Sequence, residues 1–362
     1  MSLLVKVNLK ENSYRIVIGH NILADLGREL KALNLGSEAV VITHPVLKRL
    51  YGKILRKGLN AEGLSVKFFE VAEGERSKSA KTFIDLLEKI ARHDIKKDIF
   101  IVAFGGGVVG DLAGFVAASY RRGVPYVQVP TTLLAQIDSA IGGKTAIDLP
   151  VGKNLVGAFY QPRLVYSDTA VLSTLDKRQI RNGLAEAVKY GVIADRRLFD
   201  HISRNIAKLL TSDPKVLAEV VYQCSRIKAR VVEQDEKETR GIRTILNFGH
   251  TIGHAIEAAG KFTAYHHGEA VALGVRVAAE LSVRLGYLPA KEAAGLGGVL
   301  TDIGLPEKIR GVKRGEILRH MMHDKKFKAG KTRFVLATGL GSVKVVEGIS
   351  LADIRSAIQA YS

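Results

Sequence analysis

The residues best placed to do chemistry in this chain are histidines set among glycines. Asn247, Phe248, Gly249, His250, Thr251, Ile252, Gly253 and His254 run consecutively, so His250 and His254 stand at i and i+4 and share one face of a helix. Glu257 extends that face. His266 and His267, followed by Gly268 and Glu269, open another long helical pattern, and the interval from His250 leaves room for a helix, a turn and a return. Glu186, in the stretch AEAVKYG, shares a helix face with Lys189. Two imidazoles and one carboxylate would leave open positions on a divalent cation, as binding and acidifying a substrate hydroxyl requires. A closed structural site would take four ligands. Each motif alone is ordinary helix surface or an ion pair, but an unpartnered imidazole or carboxylate among so many small and apolar residues is costly to bury. Together they favour a metal centre built from three helices.

A second motif is a glycine loop. Asp98 to Phe104 reads as a buried strand that runs into Gly105, Gly106, Gly107, Val108, Val109, Gly110 and Asp111, followed by the helix-like LAGFVAAS. This order fits GxGxxG, in which glycines let backbone N–H groups approach a pyrophosphate and the next helix points its positive end at the same charge. The usual fingerprint also places an acidic residue about twenty positions further on for the ribose hydroxyls, whereas PYVQVPTT occupies that region. By itself the loop reads equally well as a tight strand-to-helix turn.

The elements that must carry these motifs divide the chain in two. Up to about residue 170, β-rich runs alternate with amphipathic segments: EAVVIT, PVLKRLYGKILRKGL, LSVKFFEV, KTFIDLLEKIARH, DIFIVAF, with further strands at PYVQVP and RLVYSD. This βαβ order predicts an N-terminal Rossmann-like, mostly parallel α/β domain over residues 1–170, with ligands at the carboxyl ends of its strands. Beyond it, LDKRQIRNGLAEAVKYGVI, KVLAEVVYQCSRIKARVVEQ and GEAVALGVRVAAELSVRLG have a helical period. Residues 171–362 are therefore expected to form a mainly α-helical domain, with a hairpin at TRFVLATGLGSVKVVEG near its end.

Composition narrows the class. A length of 362 residues suits two cores, and 47% hydrophobic residues excludes a disordered tail. The single Cys224 permits no internal disulfide, which points to a reducing, cytoplasmic setting. The opening residues lack the apolar block of a signal peptide, and no run is long enough for a membrane span. A formal charge of +18 would attract phosphates or anionic metabolites. The basic residues are dispersed and no nucleic-acid motif accompanies them, so a nucleic-acid partner is not expected.

Over nearly its whole length the chain resembles the 3-dehydroquinate synthases, the sugar-phosphate cyclases of the shikimate pathway. GGGVVGDLAGFVAASYRRG, QVPTTLLAQIDSAIGGKTAID, GKNLVGAFYQP, LAEAVKYG, LNFGHTIGHAIE, HGEAVALG and HDKK occur in family order. The resemblance implies an active site in the cleft between the domains, with Glu186, His250 and His267 as ligands to one divalent metal, Zn or Co. His254 then becomes a phosphate-side residue rather than a ligand. Asp138, Lys144, Asn154, Lys189, Lys228, Arg243 and Asn247 match the family's other substrate contacts, and Lys325 or Lys326 of HDKK closes over the substrate. NAD is the implied cofactor, with Glu75, Lys78, Gly106, Gly107, Asp111, Thr131, Thr132, Leu134, Asp138, Lys144 and Thr174 at matching positions.

Arg122, in YRRG, matches an arginine lent to the neighbouring subunit's phosphate site, which implies a homodimer. The implied reaction converts 3-deoxy-D-arabino-heptulosonate 7-phosphate to 3-dehydroquinate and inorganic phosphate. Two departures are visible: His44 stands where the family commonly has an aspartate or asparagine near the adenosine ribose, and DEKETRGIR is one residue longer than the usual pattern, which bears on Lys228 and Glu238.

Overall fold

The computed structural model describes residues 2–95, 97–323 and 332–362. It divides into two compact units, residues 1–175 with 217–237 and residues 176–216 with 238–362.

The first unit is built on a seven-stranded sheet in the order β1-β2-β9-β6-β5-β3-β4. The strands are β1 (Leu3–Val7), β2 (Tyr14–Gly19), β3 (Glu38–Thr43), β4 (Ser65–Glu70), β5 (Ile99–Gly105), β6 (Tyr126–Pro130) and β9 (Leu164–Asp168). Within this sheet β1 and β2 pair antiparallel and the other ladders are parallel. Strands β3 and β5 are buried along their whole length, as expected of parallel strands covered on both faces, and this is why they read as unbroken apolar runs. Helices α1 (Leu26–Leu33), α2 (Pro45–Ala61), α3 (Ala80–His93) and α4 (Gly107–Ser119) connect them. Val40, Ile42, Ile101, Leu112, Val116 and Leu86 form the core.

Two strands lie outside the sequence reading. β7 (Lys144–Leu149) and β8 (Gly152–Phe159) pair antiparallel as a separate ribbon. Their alternation is masked by glycines and by charged residues at motif positions, and Leu155, Val156 and Phe159 are exposed where a strand would ordinarily hide them.

The second unit contains α5 (Lys177–Ala194), α6 (Arg196–Arg204), α7 (Ile206–Leu210), α9 (His250–Ala259), α10 (His267–Arg284), α11 (Ala290–Asp302), α12 (Arg314–His323) and α13 (Leu351–Ala360). The expected hairpin is present as β10 (Arg333–Gly339) and β11 (Ser342–Glu347). The intervening α8 (Pro214–Gln234) has nearly all its length, from residue 217, in the first unit. A continuous split near residue 170 follows the change of periodicity. Periodicity records secondary structure and does not say which core a helix joins. No helix among the described residues is long and apolar enough to cross a membrane.

Candidate active site

Helices α5, α9 and α10 pack together and bring one ligand atom each from Glu186, His250 and His267 within 4.8 Å of one another. Gly249, at φ 77°, turns the chain into α9 so that His250 begins that helix, and His267 begins α10. Both imidazole Nε2 atoms lie 3.3 Å from Oε1 of Glu186. Tetrahedral ligands at 2.0–2.2 Å from a cation stand about 3.3–3.6 Å apart, so this is the spacing of a metal edge.

The outer contacts fix ring orientation in the same sense. His250 Nδ1 lies 3.1 Å from the Phe248 carbonyl and His267 Nδ1 lies 3.3 Å from Oε2 of Glu257. Donation outward from Nδ1 leaves Nε2 with its lone pair directed at Glu186, an arrangement that is repulsive unless a cation or proton stands between them. Neither oxygen of the fully buried Glu186 accepts a well-aligned hydrogen bond from a described residue, although the buried Lys189 ammonium forms an ion pair with Oε2. The donor set fits one divalent cation with open coordination positions.

Electrostatics follow from this crowding. Burial raises the Glu186 pKa, but Lys189 and His250 overcome it and hold the carboxyl well below the usual range. Burial likewise lowers His250, which stays below its ordinary value despite Glu186. At His267 burial is outweighed by the two carboxylates, Glu186 and Glu257, which push the imidazole up to about 10. Without metal His267 is therefore protonated at neutral pH, and a cation must displace that proton. Zn²⁺ uptake at pH 7 should release about one proton, with affinity strengthening about tenfold per pH unit until His267 is neutral. Titration calorimetry in buffers of different ionisation enthalpy measures this, and proton-neutral uptake at pH 7 would contradict the assignment.

His254 is exposed and its ring lies 5.2 Å from that of His250 and 6.0 Å from that of His267. It adjoins the cluster on the solvent side. Arg243, buried, and Asn247 sit in the short 3₁₀ segment Ile242–Asn247 that leads into α9.

In the first unit the other sequence-predicted residues gather around two buried lysines. Lys78 Nζ lies 2.5 Å from Oδ2 of Asp111, on the first turns of α4, and also donates to Oδ1 of Asn154. Asn154 sits at φ 56° and its N–H donates to Asp148 at 2.8 Å. Burial raises the Asp111 pKa more than Lys78 lowers it. Lys228, on α8, donates to the Asp138 carbonyl at 2.7 Å and to its carboxylate. Asp138 itself lies in the π-helical turn Ala135–Ser139, a conformation frequent at functional sites. Lys153 pairs with Glu75 at 3.2 Å, and Lys144 is exposed at the start of β7.

The glycine loop ends β5 and starts α4. A Cβ on Gly106 would lie 3.0 Å from Thr132, and one on Gly107 would lie 2.9 Å from Ser139. The Thr131 N–H donates to the Gly105 carbonyl at 3.0 Å, so Thr131 and Thr132 flank the loop, with Leu134 just beyond. Side-chain-free backbone at a helix N-terminus fits a dinucleotide pyrophosphate. Thr174 stands apart from that loop in the 3₁₀ segment after β9, its hydroxyl 2.9 Å from that of Tyr51. His44 takes the position before α2, where burial lowers its pKa. Arg122 is exposed on the turn after α4. Lys325 and Lys326 lie outside the described residues.

Three contributors have no role in the sequence reading. Glu257 is visible there only as a continuation of the His250 face. The Phe248 carbonyl acts through backbone geometry, which residue identity does not reveal, and the Asp148 carboxylate accepts from the Asn154 N–H, a pairing set by the turn between β7 and β8.

The fold combines a parallel α/β unit with a cluster of two imidazoles and one carboxylate spaced to hold a cation. Residues 68–182 match the family model for the 3-dehydroquinate synthase N-terminal region, and residues 183–327 that for the 3-dehydroquinate synthase C-terminal region. The 3-dehydroquinate synthase of Pelobacter propionicus is 45% identical over 340 residues, covering 94% of each chain. Among solved structures, a 2-deoxy-scyllo-inosose synthase complexed with carbaglucose-6-phosphate, NAD+ and Co2+ superposes with TM-score 0.90 at 26% identity, covering 99% of this chain and 100% of the other. The 2-epi-5-epi-valiolone synthase of Streptomyces hygroscopicus subsp. jinggangensis, with NAD+ and Zn2+ bound, gives 0.88 at 26%, covering 98% of each. The chain belongs to the 3-dehydroquinate synthase family.

Proposed function

We propose that this enzyme, a carbon–oxygen lyase, converts 3-deoxy-D-arabino-heptulosonate 7-phosphate to 3-dehydroquinate and inorganic phosphate. What carries the reading is the meeting of Glu186, His250 and His267, with ligand atoms within 4.8 Å of one another, in a chain of this family. NAD and Zn²⁺ or Co²⁺, found in the two solved relatives, suit the glycine loop and the metal cluster. When bound, those groups supply Lewis acidity at the C4 and C5 hydroxyls and reversible hydride uptake at C5.

The chain's own residues bind and orient. Lys144, Asn154, His254 and Arg122 hold the phosphate that leaves across C6 and C7, and a phosphate oxygen takes the C6 proton. His254, exposed beside the cluster, is suited to shuttle a proton there. Asp138, Lys189, Lys228, Arg243, Asn247 and either Lys325 or Lys326 contact the remaining substrate oxygens. Glu75, Lys78, Gly106, Gly107, Asp111, Thr131, Thr132, Leu134 and Thr174, with Asp138 and Lys144, hold the dinucleotide. Lys78 bonds both Asp111 and Asn154, which supports coupled ordering of the cofactor and phosphate sides. The hydride taken from C5 returns to C5, so ring opening and aldol closure complete a redox-neutral turnover.

The active form is a homodimer in which Arg122 serves the neighbouring subunit, a reading that the exposed apolar ribbon β7–β8 supports. A reducing cytoplasm suits the single, buried Cys224. Supplying the heptulosonate phosphate with substoichiometric NAD and Co²⁺ should yield phosphate and dehydroquinate in equal amounts, in excess of NAD, without net NADH. Chelation should abolish turnover, and Zn²⁺ or Co²⁺ should restore it. Accumulating NADH would instead mark a dehydrogenase, and inertness toward this substrate would mark a cyclase for another sugar phosphate.

A further inference from the structure

Three consecutive residues after α4 adopt positive φ: Arg121 at 50°, Arg122 at 64° and Gly123 at 128°. Glycine takes such a conformation freely, but side-chain-bearing residues pay in steric strain, and two in succession persist only where the surroundings over-determine them. The surroundings here are specific on both sides.

On one side is Asp94, which follows α3 and is buried to 2% exposure. The Arg121 guanidinium lies 3.0 Å from Oδ2 of Asp94 and 5.7 Å from the Tyr120 ring centre. Burial and a hydrogen bond to the same carboxylate raise the Tyr120 pKa, so that phenol stays a neutral donor. On the other side, a Cβ at Gly123 would come 3.2 Å from Tyr160 Oη. Tyr160 is itself fixed, donating to the Val124 carbonyl at 2.9 Å and stacking on Tyr126 with ring centres 5.6 Å apart. Arg122 stands between these anchors, exposed, with no ion pair or hydrogen bond to a described residue.

A turn that ties down its first arginine and leaves the next one exposed offers a cation to an anion of another molecule. We propose that Asp94, acting through Arg121, is a positioning residue that holds the strained turn and aims Arg122 at the phosphate bound by the neighbouring subunit. The proposal rests on the reading of Arg122 given above. It deepens that reading by assigning the arginine's direction to a buried carboxylate that pairs with Arg121.

The test is a double-mutant cycle on the full-length enzyme loaded with NAD and Co²⁺, reading kcat/KM for the heptulosonate phosphate. Arg122→Ala should lower kcat/KM about a hundredfold, the scale of a lost transition-state donor. Asp94→Asn should lower it about tenfold through misalignment. In the Arg122→Ala background the same Asp94→Asn change should cost less than about twofold, because coupled residues do not add. Arg121→Met, a change at a half-exposed side chain, reads the same coupling if Asp94→Asn fails to fold. An equal loss in both backgrounds would make Asp94 a general structural residue and overturn the proposal, as would no loss in the parent. If Arg122→Ala itself leaves kcat/KM unchanged, the reading of Arg122 fails first, and the clamp has nothing to aim.

Discussion

Glu186→Gln should leave the enzyme unable to retain a divalent cation and lower kcat by about three orders of magnitude or more. Metal Lewis acidity is worth several kcal/mol of transition-state stabilisation, and each ~1.4 kcal/mol is a factor of ten. The amide keeps the shape of the carboxylate but removes the charge that faces Lys189 and His267. Glu186 and Lys189 are buried together, at 0% and 2% exposure, and removing one charge of a buried pair should also cost up to about 3–5 kcal/mol of stability. His250→Ala provides the contrast, since it deletes a ligand while leaving the Glu186–Lys189 pair intact. It should lose metal and activity to a similar extent with a smaller fall in melting temperature. Zinc stoichiometry, turnover and thermal denaturation of both variants decide the matter, and a Glu186→Gln enzyme holding one zinc at parental rate would remove the triad from the mechanism.

Gly274→Ala should disable the same centre without touching a ligand. A Cβ on Gly274 of α10 would lie 1.9 Å from the Gly249 carbonyl and 2.7 Å from the Gly253 nitrogen. Both obstacles are backbone at the start of α9, so no side-chain rotation relieves the clash. To reach an ordinary contact of about 3.5 Å the 1.9 Å approach must open by about 1.5 Å, whereas metal–ligand distances tolerate only about 0.2 Å. His250 and His267 begin the two helices that would part. Zinc occupancy should collapse, with a stability loss toward the upper end of the ~1–3 kcal/mol typical of overpacking. Gly298→Ala on α11 is the control, because nothing lies within 4 Å of its added methyl. Retained zinc in the Gly274 variant would show that this close approach does not set the ligand geometry.

The helix faces that carry the candidate ligands were legible in the sequence because helix periodicity is local: His250 and His254 at i and i+4, and Glu186 with Lys189, each mark a face, and the structure brings Glu186, His250 and His267 together. Which face meets which does not follow from that periodicity. It depends on glycines such as Gly274, whose packing role appears only when two helices are placed together. The parallel sheet was legible for a related reason, since β3 and β5 are buried on both faces and leave continuous apolar runs. The ribbon β7–β8 escaped because its side chains are selected for contacts and exposure more than for burial. Glu257 escaped as a partner of His267 because the residues meet across a turn, from different helices. Lys228 was matched to a substrate role, but its attachment to Asp138 crosses ninety positions of chain, a long-range pairing that periodicity does not encode.

The return of residues 217–237 to the first unit has a consequence for anyone dissecting the protein. Neither unit is a single stretch of polypeptide, so a fragment ending at residue 175 would carry Asp138 but leave Lys228 behind. Its π-helical turn would lose the ammonium that neutralises it, and the face of Gln136 that meets Ser225 would open to water. Complementation by co-expressed halves is accordingly a poor route to separate folding. The shortest contiguous stretch that holds all of the first unit runs from residue 1 to residue 237, and it carries residues 176–216 of the second unit with it.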